Sequence, residues 1–89
     1  MTRIVLNPEE LRRFASFLEA QCGELRGRKS AIEAAFCQLA EYWKDKKQHR
    51  HEADFEYTSK LLDAFLAHSD AYMSYLRKKA RKADAYLNG

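Results

Sequence analysis

The chain has 89 residues, 46% of them apolar and 33% charged, with only three Gly and one Pro. So few helix breakers exclude a turn-rich or all-β chain and point to few, long helices in one small domain, at a size where a single core is marginal. Sixteen basic residues against thirteen acidic ones leave a net charge of +3, too balanced to imply a nucleic-acid partner by itself, and no apolar run approaches the roughly 20 residues that span a bilayer.

Met1–Leu6 is too short for a secretory signal peptide. The expectation is a cytoplasmic protein, or one exported by a route that needs no signal peptide. A first helix is expected over about residues 8–42. Asn7 is a good N-cap, Pro8 suits the first helical position, and Glu10 stands where it would complete a capping box. Leu6 and Leu11 could close over the cap as a hydrophobic staple.

From there Leu11, Leu18, Leu25, Ile32 and Leu39 recur at a heptad spacing, widened by Phe14, Ala15, Cys22, Ala35, Phe36, Tyr42 and Trp43. That is the stripe of a helix packed lengthwise against others. Arg28 and Lys29 are its one polar interruption, next to Gly23, Gly27 and Ser30. Gly27 could stop the helix, with Ser30 and Glu33 opening another, giving three helices. The heptad register runs unchanged from Leu11 to Trp43, and an inserted loop would ordinarily shift it, so one continuous helix is expected. Cys22 and Cys37 would then lie about 22 Å apart along its axis, too far to bond, as suits free thiols in a reducing compartment.

The turn falls at Trp43–Asp45, with Asp45 able to cap a second helix and Gln48 three residues on. Helix 2 is expected over about residues 46–87, with a stripe of Phe55, Leu62, Phe65, Leu66, Tyr72, Met73, Leu76, Ala80, Ala83, Tyr86 and Leu87, into which the small Thr58 and Ser69 fit. A short connection makes the pair antiparallel. The expected fold is therefore all-α, an antiparallel two-helix hairpin. Its two stripes leave Leu, Phe and Tyr uncovered, so two hairpins should share one core as a four-helix bundle. Leu11, Phe14, Leu18, Leu25, Ile32, Phe36, Leu39, Leu62, Phe65, Tyr72 and Leu76 are the expected core and dimer-interface residues.

A hairpin of two long helices with Tyr42-Trp43-Lys44-Asp45 at the bend resembles the WXG (Trp-x-Gly) family of small type VII secretion substrates, the early-secreted-antigen-like proteins. Trp43 takes the family's Trp position, and Asp45 stands at its Gly position, as in relatives with Trp-x-Asp. The aromatic that commonly follows the Trp by eight residues would fall at His51, so that packing contact is either missing or supplied by Phe55. The family's export signal, a Tyr followed four residues later by an acid, is not matched by Tyr72 or Tyr75, which lead to Leu76 and Lys79. The resemblance implies a non-enzymatic adaptor or export-associated protein. It would be a homodimer or a heterodimer with a related hairpin, with secretion machinery or a toxin as further partner.

His49, His51, Glu52 and Asp54 cluster after the turn, but His49 and His51 point about 200° apart on a helix and cannot chelate one ion together. Asp45 with His49, or His49 with Glu52, share a face, and two ligands fall short of the four of a structural zinc site. No triad, phosphate-binding loop or carboxylate pair is visible. No catalytic residue, metal or cofactor is expected.

The alternative reading is a basic dimeric adaptor that contacts nucleic acid or a nucleoprotein. Arg77, Lys78, Arg81 and Lys82 would offer an anion-binding face with nothing aromatic interleaved, and Lys44, Lys46, Lys47 and Arg50 a second cluster. Between them Glu52, Asp54, Glu56, Asp63 and Asp70 oppose Lys60 alone, a plus–minus–plus pattern more natural for helix pairing. Cations near a helix C-terminus also complement its dipole. Only weak binding to nucleic acid, on the order of 10 μM or worse at physiological salt, is expected.

Overall fold

Asn7 opens the first helix as expected. Its backbone is extended (φ −99°, ψ 106°) and its side-chain oxygen accepts a hydrogen bond from the Glu9 N–H at 3.0 Å, satisfying one of the donors that a helix start leaves free. A computed structural model of the protein describes residues 7–43 and 46–88, built as α1 (Pro8–Tyr42) and α2 (Lys46–Asn88). Leu6 of the hydrophobic staple and Asp45 of the turn lie outside the described residues. Glu10 does not close the capping box; its carboxylate reaches forward to Arg13 at 2.8 Å.

α1 is continuous, so the break at Gly27 is not taken. Neither Gly23 nor Gly27 has positive φ, and the heptad repeat supplies a packing surface on both sides of them. α1 ends where Trp43 turns into extended backbone (φ −104°, ψ 103°), its N–H donating to the Leu39 carbonyl at 3.0 Å. Gln48 does not serve only its own helix. Its side-chain amide donates to the Ala40 carbonyl at 3.1 Å, one of the carbonyls that the end of α1 leaves without a helical partner.

The helices run antiparallel, as the contacts between them show: early α1 meets late α2 in Arg12–Asp84, Glu19–Arg77, Arg26–Asp70 and Lys29–Asp63. The hairpin spans 66 × 25 × 16 Å, a single layer with no third element behind it among the described residues. Its buried residues are accordingly confined to the seam: Ala15 and Cys22 from α1, and Leu66, Ser69, Met73, Leu76 and Ala80 from α2.

Within the expected apolar stripe, the seam is centred on the flanking residues and not on the Leu11–Leu39 series. Ala15, Cys22, Lys29, Phe36 and Trp43 form a second seven-residue series in α1, and it is this series that turns toward α2. The small Ala15 and Cys22 let the two helices approach closely. Leu18, Leu25 and Leu62 pack against the Cys22–Leu66–Met73 cluster from its edge. Toward the turn, Phe36 and Phe55 stack at 4.1 Å with their planes 6° apart.

Candidate functional site

Because the seam takes the Ala15–Trp43 series, the Leu11–Leu39 series is rotated to one side of it, by roughly 60–100° at Leu25 and Ile32 given 3.6 residues per turn. The side chains on that flank stay open. Phe14, Ile32, Leu39, Leu61, Phe65 and Tyr72 are each about half exposed, between 48% and 56%. Leu11, Leu18, Leu25, Phe36 and Leu62 are half-buried, and Leu76 is buried. Of the expected core, then, a single chain buries the part facing the seam and leaves Phe14, Ile32, Leu39, Phe65 and Tyr72 on its surface. Tyr86 and Leu87, at the far end of the α2 stripe, are exposed as well.

The open side chains make one face. Phe14, Leu18, Phe65, His68, Ser69 and Tyr72 line a shallow concavity of about 500 Å³, in which the Phe14 and Tyr72 rings meet edge to face at 6.4 Å. Leu18, Leu25 and Phe65 line the adjoining one with Gln21 and Arg28. The opposite broad face has another character. There Arg26 holds Asp70 at 2.6 Å, Arg77 holds Glu19 at 2.5 Å, and Arg12 holds Asp84. Each such exposed pair contributes at most about 1 kcal/mol, but together they close this face with charge. One face of the hairpin is finished and the other is not.

Lys29 sits between the two, in a seam position where the heptad calls for an apolar residue. Its side chain is only 14% exposed, and its ammonium bridges Glu33 at 2.8 Å and Asp63 at 3.0 Å. The hydrogen bonds it donates to these two carboxylates raise its pKa above the ordinary 10.5. Ser59 adds a hydrogen bond to Glu33 at 3.4 Å. Because the bridge to Asp63 crosses the seam, it is made in one register only.

Trp43, at the expected turn motif, is half-buried and lies with its ring 5.0 Å from that of His51. The ring beside Trp43 is thus that of His51 and not that of Phe55. Phe55 is committed to Phe36. His49 approaches Glu52 at 3.8 Å, and the described residues hold no group of three or more His, Cys, Asp or Glu placed to bind a metal ion. Cys22 is buried and Cys37 exposed, both as free thiols. No helix among the described residues is long and apolar enough to cross a membrane.

The expected anion-binding residues divide. Arg77 is neutralised by Glu19. Among the described residues Lys78, Arg81 and Lys82 have no acidic partner, and Lys79 of the same basic run, with Tyr75, which the sequence pattern passed over, lines one concavity of about 310 Å³ with Lys78 and Lys82. No basic residue falls in the last turn of α2, so the helix dipole, which acts within that turn, does not account for the cluster. Compared with protein-family models, curated proteins and solved structures, the chain matches none.

Proposed function

We propose that the protein is a non-enzymatic helix-pairing module whose apolar face joins a second copy of the chain to complete a four-helix bundle. The carrying observation is the asymmetry of the hairpin: half-exposed Phe, Leu, Ile and Tyr along one broad face and cross-helix ion pairs along the other. Two further observations support a second copy as the occupant. The chain exposes 7501 Å², whereas a compact monomer of its 10.4 kDa exposes about 5,400 Å². Covering the six half-exposed side chains at roughly 100 Å² each removes roughly 600 Å² per copy, or about 1,200 Å² in total, the lower end of the range for a specific, stable interface. The face is also lengthwise and nearly straight, as a two-fold self-complementary contact between hairpins requires.

The resemblance to the WXG family gives this module a role: a folded dimer handed to a secretion apparatus, or held by a larger toxin as its helical companion. Its support is the long hairpin with Trp43 closing the turn end. Since Tyr72 and Tyr75 do not begin the family's export signal, export requires a partner that carries one. Two tests separate these levels. Two differently tagged copies expressed together should co-purify, and Phe65→Asp in both should abolish this. Export is tested by culture fractionation of a tagged copy with and without its neighbouring genes. Protein confined to the cells in both cases, and no helical partner in a pulldown, would remove the export role and leave the pairing module.

A further inference from the structure

We propose that the outer face of α2, at Tyr75, Lys78, Lys79 and Lys82, is a binding site for single-stranded nucleic acid, adjoining the helix-pairing face at Tyr72. These four residues stand at i, i+3, i+4 and i+7 and so share one face of the helix, pointing away from the seam. The pattern of charge is what sets them apart. Elsewhere on the described surface the arginines of both helices, Arg50 and Arg81 excepted, face carboxylates, and Lys29 and Lys60 do too. Lys78, Lys79, Arg81 and Lys82 have no acidic partner among the described residues, and they stand within little more than one turn.

Uncompensated positive charge at this density favours a polyanion, and the aromatic at its edge says which. The Tyr75 ring is 54% exposed. It is backed by Tyr72, with centroids 6.3 Å apart and planes 25° from parallel. The Lys79 ammonium lies 5.7 Å from its centroid and 3.4 Å from its hydroxyl. A half-exposed ring held in place beside flexible ammonium groups suits a single strand: a base stacks on the ring as the Lys79 ammonium swings from over it to a phosphate, and Lys78 and Lys82 follow the neighbouring phosphates. Duplex would offer phosphates and no free base face. A bilayer would call for a run of bulky apolar side chains to insert, whereas the outer face before this patch carries Ala64, Ala67 and Ala71 and the turn after it a single large side chain, the exposed Tyr86.

The test is fluorescence polarisation of a labelled oligo(dT) of about 20 nucleotides with the full chain, at several salt concentrations. Binding is expected with a log–log salt slope near −2, about −0.7 for each of three lysine–phosphate contacts. Tyr75→Ala should weaken it at least about fivefold at fixed salt, and Lys78→Gln with Lys82→Gln should flatten the slope. All three side chains point into solvent, so circular dichroism should show unchanged helix. No binding at low salt would overturn the proposal. So would binding indifferent to Tyr75→Ala, equal affinity for a duplex of the same length, or tighter binding to vesicles containing phosphatidylserine.

Discussion

Lys29 is the residue at which the seam departs from an apolar pattern, and its chemistry can be read by titration. A base whose pKa is raised on folding contributes stability that is complete below its unfolded value, near 10.4, and lost as pH rises through the folded value. Lys29 is raised by its hydrogen bonds to Glu33 and Asp63. The wild type should therefore lose more stability than Lys29→Met between pH 9 and pH 11.5 in urea titrations. An equal loss in the two proteins would mean that the bridge contributes nothing. Leu76 belongs to the buried side of the seam, and Leu76→Ala should cost about 2–5 kcal/mol, a large fraction of a small domain's stability, seen as a lower urea midpoint. At this scale the sequence showed that Lys29 breaks the stripe, but not that Asp63 would meet it, since that partner lies across the turn.

At the scale of the element, α1 tests whether continuity costs anything at its glycines. Gly23 and Gly27 lie in helix without positive φ, and an added Cβ would meet nothing within 4 Å at either. Both fall on the side away from the apolar face. Gly27→Ala should then stabilise by up to about 1 kcal/mol, raising Tm by about 4–8 °C. A lower Tm would mean that Gly27 serves a conformation other than this helix. Much of the element level was legible in the residues: Asn7 and Pro8 set the start of α1, and the unbroken heptad from Leu11 to Trp43 carried it through the glycines. What periodicity could not decide was the facing. Two adjacent heptad series, Leu11–Leu39 and, Lys29 apart, Ala15–Trp43, both belong to the apolar stripe, and the leucines are the expected carriers of the core. Close approach of α1 to α2 favours the small Ala15 and Cys22 instead. Tyr75 was passed over for a related reason, since pairing a Tyr with lysines on one outer face is a matter of helical angle rather than of a charge run.

For the whole molecule, shape is the argument. A compact domain of this length has a radius of gyration of about 12 Å, and the hairpin has 20.0 Å. A single layer of two helices buries seven residues among those described, and the unfinished face is where a stable core would have to continue. Substitutions there should therefore act on assembly before they act on the hairpin: Ile32 is 56% exposed in one chain, so Ile32→Asp removes little from the seam and much from a bundle. The central claim is the shared core, and light scattering coupled to size-exclusion chromatography at micromolar concentration tests it most directly. The expected result is a mass twice the 10.4 kDa of the chain for the wild type, falling to the single-chain mass for Ile32→Asp and Phe65→Asp. A wild-type protein that runs at the single-chain mass, and unfolds cooperatively at a midpoint independent of its concentration, would contradict it.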